Sequence, residues 1–355
     1  VNFGAGYALL FGMETKLVEL DGSFGEGGGQ ILRTSLALSL LTGNPFHLRH
    51  VRARRSKPGL QPQHLMSVRA AAAIGAAQVR GASVGSTDLV FEPGAVSAGT
   101  YRFDIGTAGA TGLVLQTICL PLALRGTAPS EVTLIGGTHV STSPCFHFLD
   151  ATWRVYLERI GLRLSLRMVR PGFYPRGGGV VVAHIQPTAA LRGLRLRERG
   201  EATVRGFSAA AGLPYHVIMR QARRAASRME EFGVEADVRE ENWEGGPGSV
   251  LGLVVDTEPA PALFFGLGAR GKPAEFVADE AADQAIAYLR APAPVDAHSA
   301  DQIVLPLALA DGPSEYGVAE LTQHLLTNIG VIRQFLEREI VGEGHLGMPG
   351  VVRIT

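Results

Sequence analysis

Three short segments place a histidine where a helix is expected to begin: Gln63-His64-Leu65, Phe146-His147-Phe148 and Gln323-His324-Leu325. The unpaired N–H groups at a helix start favour an anionic ligand and tend to lower the pKa of a neighbouring imidazole. Neutral imidazole is the nucleophilic form, so a residue placed there is able to attack a phosphorus centre. For any one of the three, a partly buried structural histidine is the commoner alternative. Anion chemistry is also suggested by the turn at 21–33, Asp-Gly-Ser-Phe-Gly-Glu-Gly-Gly-Gly-Gln-Ile-Leu-Arg. Four of its glycines lie just before a predicted helix, where backbone N–H groups can cradle an anion. No Lys-Ser/Thr pair closes it, so it is not a P-loop, and the partner acid of a dinucleotide fingerprint is missing. Glu26 inside this turn fits a metal-ion or proton-transfer role beside phosphates, and equally a helix-start acid facing the dipole.

Two further stretches carry arginines. Between Arg49 and Lys57 five cationic side chains fall within nine residues, and a Pro-Gly stop follows. Guanidinium forks match phosphate oxygens, which favours an anion-binding loop over an ordinary solvated charge run. The segment 170–180, Arg-Pro-Gly-Phe-Tyr-Pro-Arg-Gly-Gly-Gly-Val, combines two arginines with three successive glycines. It can present backbone donors and guanidinium groups together, or use its glycines purely for a tight hairpin. His139, Cys145 and His147 lack the paired spacing of a zinc site, so metal binding by them is discounted. His298-Ser299-Ala300-Asp301-Gln302 opens another predicted helix, where its acid and amide suit adenosine hydroxyls or merely cap the helix.

The elements that must position these residues repeat along the chain. Apolar helices near Leu36, Leu120 and Leu305 each lead into a strand, at 45–51, 131–136 and 315–319, and then into a second helix beginning near Gln63, Phe146 or Gln323. After the first two of these come two more strand-like runs, so the unit reads β-α-β-α-β-β. From Leu36 to Leu120 is 84 residues and from Leu120 to Leu305 is 185, an excess of 101 that marks an insertion. Residues 187–291 fit that size, with helices predicted at 215–232 and 274–289 and strands at 202–207, 236–240 and 250–256. The expected fold is therefore α/β (α+β): three β-α-β-α-β-β repeats packed together, with a smaller inserted α/β domain. The repeats form a large catalytic domain at 13–186 and 292–355. Residues 1–12 are expected to be an extension upstream of Met13.

Composition limits the partners. The chain has 355 residues, 46% hydrophobic, with 33 Lys+Arg against 33 Asp+Glu. A neutral chain is no nucleic-acid-coating protein, so any such contact must be a local patch. Cys119 and Cys145 make no disulfide framework, and a cytoplasmic location is expected. No apolar run reaches the roughly 18 residues of a membrane span.

Taken together, the 21–33 turn, the 52–59 loop, the 170–180 segment and Gln323-His-Leu-Leu-Thr-Asn328 resemble RNA 3′-terminal phosphate cyclase. The resemblance runs in order from Lys16 onward and includes the insert. It implies a ligase using ATP with Mg2+ or Mn2+, acting on RNA that ends in a 3′-phosphate. His324 would take AMP from ATP, pass it to the RNA phosphate, and the vicinal 2′-hydroxyl would close a 2′,3′-cyclic phosphate. By position, the resemblance makes Glu26 the metal-associated acid and sets Arg33, Arg52, Arg55 and Gln63 around substrate phosphate. Gln116, His298, Ser299, Ala300, Asp301 and Gln302 fall on its ATP-contacting positions, and Phe265 on a looser match for adenine stacking. Two alternatives are a catalytically silent relative acting in ribosome assembly and an enolpyruvyl-transfer enzyme of similar repeat plan. The silent relatives lack the nucleophilic histidine, and the second leaves the 170–180 segment unexplained.

Overall fold

The computed structural model describes residues 16–355, so the expectation for 1–12 lies outside the described residues. The first unit comprises β1 (Val18–Asp21), α1 (Gly29–Thr42), β2 (Phe46–Arg49), α2 (Pro62–Ile74), β3 (Gln78–Arg80) and β4 (Asp88–Glu92). Its sheet runs β1-β2-β4-β3, with β1 and β2 parallel across the helical crossover and the last two strands added antiparallel. The second unit repeats this plan with β5 (Thr100–Asp104), α3 (Thr111–Arg125), β6 (Ser130–Gly136), α4 (Phe146–Phe148), a π-helical turn Leu149–Trp153, α5 (Arg154–Arg159), β7 (Leu164–Arg170) and β8 (Gly179–Ile185). Its order is β5-β6-β8-β7.

The third unit opens with β9 (Arg195–Leu196) and is then interrupted. The interruption consists of β10 (Thr203–Ala211), α6 (Tyr215–Glu231), β11 (Ala236–Trp243), β12 (Gly248–Asp256), β13 (Ala262–Leu267) and α7 (Ala274–Arg290). The unit resumes with α8 (Ala297–Ala308), β14 (Ser314–Val318), α9 (Gln323–Phe335), β15 (Ile340–Gly344) and β16 (Gly350–Ile354). Its sheet is β9-β14-β16-β15, the same order again. Arg195 and Leu196 pair parallel with Glu315 and Tyr316, so this stretch of the expected 187–291 insert hydrogen-bonds to the third unit. The strand is two residues long, too short for any alternation to betray it.

Helices α1, α2, α3, α8 and α9 pack against one another in the middle of the large domain. This explains why α1 is buried almost all round, from Ile31 and Leu32 to Leu40 and Leu41, instead of along one stripe. The sheet of the insert, β11-β10-β12-β13, separates two cores. Leu251, Leu253 and Val255 pack with Val277 and Ala281 of α7 on one face. Phe207, Ala209, Val250 and Val254 pack into the core of the large domain from the other. The alternation along β12 follows from the two-residue period of a strand. No helix among the described residues is long and apolar enough to cross a membrane.

Candidate active site

Four segments that are distant in sequence converge at the start of α1. Helix α9 is capped by Thr322, whose hydroxyl accepts from the Leu325 amide at 3.1 Å, so His324 sits in its first turn. The His324 side chain is 53% exposed, and its Nδ1 lies 3.4 Å from Glu26 Oε2 and 3.1 Å from Gln30 Oε1. The Glu26 amide donates to Thr327 Oγ1 at 3.1 Å, which ties the glycine turn to α9. Across the turn, Glu26 Oε2 is paired with Arg55 from the 50–60 loop. Its Oε1 is buried without a hydrogen-bond partner among the described residues. Gly29 has to be glycine: a Cβ there would stand 2.4 Å from His64 Nε2 at the start of α2.

The electrostatics are those of an anion site. Arg33, one turn into α1, is half-buried and makes no ion pair among the described residues. Burial lowers its pKa to about 10, against the raising effect of Glu26 and Asp301. Arg52 is also lowered, by burial and then by the Arg55 charge. Three guanidinium groups thus face one carboxylate, an excess of positive charge that phosphate oxygens would neutralise. Arg52 is partly committed elsewhere: its Nη1 bonds the carbonyls of Lys57 and Gly59, closing its own loop.

The three helix-start histidines behave differently. Burial, then the charges of Arg33, Arg52 and Arg55, push the His64 pKa down to about 3. Its Nδ1 accepts the Gln61 amide at 3.3 Å, so the proton resides on Nε2, which is a donor and no nucleophile. His147 is packed 4.3 Å from the Phe207 ring and 5.4 Å from Trp243, with Nδ1 3.0 Å from His139 Nε2. Burial lowers its pKa to about 4. For His324 the expected lowering is reversed. The hydrogen bond to Glu26 raises its pKa, and burial opposes this less strongly. A carboxylate within hydrogen-bonding range outweighs the partial charge of a helix terminus. With Nδ1–H directed at Gln30 and Glu26, the Nε2 lone pair of neutral His324 is left free.

Beside His324 the start of α8 contributes a second polar group. Asp296 caps the helix, its Oδ1 accepting the amides of His298 at 2.9 Å and Ser299 at 3.0 Å. His298 is exposed, whereas Ser299 and Ala300 are only 1% and 0% exposed, so their side chains are closed off. Gln302 Nε2 donates to Asp301 Oδ1 at 2.6 Å, and Gln116 Nε2 donates to Gln302 Oε1 at 2.6 Å. Burial raises the pKa of Asp301. These side chains, with Arg33, Trp153 and Asn328, line a cavity of ≈ 50 Å³. Gln63 lies next to the arginine cluster, but its Oε1 accepts the Ala110 amide at 3.1 Å, joining the starts of α2 and α3. Phe265 is half-buried on β13, which runs along the π-helical turn, and it faces the large domain.

Sequence reasoning missed Gln30, Thr34 and Trp153. Gln30, Arg33 and Thr34 are polar residues at helical spacing in an otherwise apolar α1, a visible signal that they share one face. Trp153 carries no such signal, since the π-helical turn that directs it toward the cavity is a tertiary feature. No group of three or more His, Cys, Asp and Glu side chains that could hold a metal occurs among the described residues. The arrangement as a whole combines a half-exposed imidazole, a cluster of guanidinium groups and an adjoining polar cavity.

A family profile described as RNA 3′-terminal phosphate cyclase matches residues 24–341. Proteins named RNA 3′-terminal phosphate cyclase are similar over nearly the whole chain. That of Pyrobaculum aerophilum is 44% identical over 323 residues, covering 90% of this chain and 92% of its own. That of Salmonella typhimurium is 44% identical over 325 residues, covering 90% and 94%. That of Methanopyrus kandleri is 42% identical over 350 residues, covering 96% and 99%.

Proposed function

The chain belongs to the RNA 3′-terminal phosphate cyclase family, and on that premise we propose that it converts RNA 3′-terminal phosphates to 2′,3′-cyclic phosphates using ATP, with AMP carried on His324. The observation that carries this reading is the pair of oxygen acceptors beside His324 Nδ1. Its Nδ1 is engaged by Gln30 and Glu26, so Nε2 is the atom available to attack.

In the first step His324 Nε2 attacks the α-phosphorus of ATP. An N–P bond forms, the bond to the bridging oxygen breaks, and pyrophosphate leaves. An oxygen of the RNA 3′-phosphate then attacks the same phosphorus, releasing neutral imidazole and forming a phosphoric anhydride. Last, the 2′-hydroxyl attacks the 3′-phosphorus, loses its proton and expels AMP. Activation is needed because a bare phosphate oxygen is a poor leaving group, and the phosphoramidate stores it between steps. Arg33 and Arg55 hold phosphate oxygens, with Arg52 shaping the loop that presents them. Glu26 fits a divalent ion, Mg2+ or Mn2+: its buried Oε1 lacks a partner, and Mg2+ usually takes one or two carboxylates plus substrate phosphates. Such an ion would offset triphosphate charge.

Asp301, Gln302 and Gln116 are the groups we assign to adenosine, with Phe265 facing that side. They line a cavity of ≈ 50 Å³ together with Arg33 and Asn328. A cytoplasmic setting belongs to the same reading, supported by the two buried free thiols. The deciding experiment is incubation with α-labelled ATP and a divalent ion. An acid-labile, base-stable protein adduct that His324→Ala abolishes is the expected result. A wild-type protein that forms no adduct would sink the reading in favour of a silent relative.

A further inference from the structure

The 170–180 segment has no part in the steps above, although it is the most distinctive stretch of the chain. Its base is held rigidly. The Gly172 carbonyl accepts the amides of Thr138 at 2.8 Å and His139 at 3.1 Å, and its own amide donates to Thr138 Oγ1 at 2.9 Å. Phe173 is 6% exposed and lies against His139 with ring centroids 5.4 Å apart. The Gly177 amide returns to the Phe173 carbonyl at 2.7 Å, and Arg170 Nε donates to the Gly178 carbonyl at 2.8 Å. Out of this fixed loop projects Tyr174, 78% exposed, whose hydroxyl makes no hydrogen bond among the described residues. Neither flanking cation, Arg170 or Arg176, forms an ion pair among the described residues.

This loop is connected to the arginine cluster by direct packing. A Cβ on Gly177 would lie 2.6 Å from the Thr107 carbonyl oxygen and 2.7 Å from Ala108 Cα. A Cβ on Gly109 would lie 2.9 Å from Gln63 Cβ, and Gln63 adjoins His64. Close packing therefore links the arginine cluster, through Gln63 and the 107–109 loop, to the segment that carries Tyr174. An exposed ring on a rigid support, flanked by uncompensated cations, is the arrangement that binds single-stranded nucleic acid: bases stack on the ring while guanidinium groups meet the backbone.

We propose that Tyr174, with Arg170 and Arg176, is a stacking platform for a base of single-stranded RNA upstream of its terminal nucleotide. The platform rests on the function proposed above, because that function brings an RNA end to the arginine cluster. Its contribution depends on the ring and not on the hydroxyl, and it tolerates any base because every base has a π-face.

The test compares wild-type protein with Tyr174→Ala, Tyr174→Phe and Arg176→Ala. Two ligands are titrated: a labelled 3′-phosphorylated RNA of about ten nucleotides, and a nucleoside 3′-monophosphate as its competitor. Tyr174→Ala is expected to weaken the longer RNA about five-fold or more and to leave the nucleoside phosphate unchanged. Tyr174→Phe should bind within about two-fold of wild type on the same basis, while Arg176→Ala should flatten the salt dependence. Adduct formation from ATP should be unaltered in all three, which reports an intact fold and active site. Unchanged binding of the longer RNA by Tyr174→Ala overturns the platform, as does equal weakening of both ligands. Failure of wild-type protein to form an adduct counts against the proposed function instead, and the length dependence of binding is read independently of it.

Discussion

His64, His147 and His324 occupy matching places near the start of the second helix of each unit, yet their rings meet different partners. The difference lies in what each Nδ1 meets: a backbone amide for His64, another imidazole for His147, and oxygen atoms of Gln30 and Glu26 for His324. His64→Ala should therefore still accept AMP from labelled ATP, whereas His324→Ala should not. Loss of the adduct in both would mean that His64 is needed for the first step. The Glu26–His324 pair also dictates a pH dependence. The pKa of His324 is raised, so its stabilising share of the pair is full below about 6.5 and fades as pH rises through the raised value. For Glu26, burial is the largest effect and raises its pKa, but His324, Arg55 and Arg33 outweigh it and the net shift is downward. Its share is present above about 4.5 and is lost as pH falls through the lowered value. Adenylylation needs unprotonated Nε2, so its rate should climb with pH through the raised pKa of His324. Glu26→Gln should move the acid limb of the pH–rate profile to lower pH, whatever it does to the maximum. An unmoved limb would show that the carboxylate does not set the proton affinity of His324.

At the scale of elements, the site depends on a hydrogen-bond chain through three helices. Thr34 Oγ1 of α1 donates to Asn328 Oδ1 of α9 at 2.7 Å, and Asn328 Nδ2 donates to the Asp301 carbonyl of α8 at 2.9 Å. Asn328 is 3% exposed, so removing its amide strands two buried polar partners. Asn328→Ala should destabilise the protein by roughly 1–3 kcal/mol, seen as a lower midpoint in denaturant. A midpoint unchanged from wild type would place the burden of holding these helices on apolar packing alone. The helix starts at Gln63, Phe146 and Gln323 were legible because apolar periodicity and turn residues agree there. Strand β13 was not, since Ala262–Leu267 is a continuous apolar run buried on both faces and shows no alternation.

For the whole molecule, the insert is bound to the large domain by one face of its sheet. Phe207, Val250, Val254 and Leu263 belong to the main core, whereas Leu251, Leu253 and Phe264 belong to the separate core under α6 and α7. Residues 203–290 expressed alone would expose the first face. The fragment should bind a hydrophobic dye and associate in size-exclusion chromatography; a monomer that ignores the dye would show that the apolar face is dispensable. The aromatic contacts around His147, Trp243 and Phe173 lie at this same junction, and Gly248 admits them closely, since a Cβ there would stand 2.1 Å from the Phe173 ring.

The repeated plan and the presence of an insert were legible in the sequence alone, and Glu26, Arg33, Arg52, Arg55 and His324 stood out there as candidates. Periodicity, spacing and side-chain chemistry are local properties, and they survive in a one-dimensional record. The choice among three similar histidines was not determined in this way by local chemistry. It turns on a proton's location, which depends on whether an amide, an imidazole or a carboxylate from another segment reaches each ring. Glu26 and His324 are separated by nearly the whole chain, and only the packing of α1 against α9 brings them within 3.4 Å. Electrostatic coupling falls with distance and grows with burial, so the protonation state of His324 belongs to the tertiary structure.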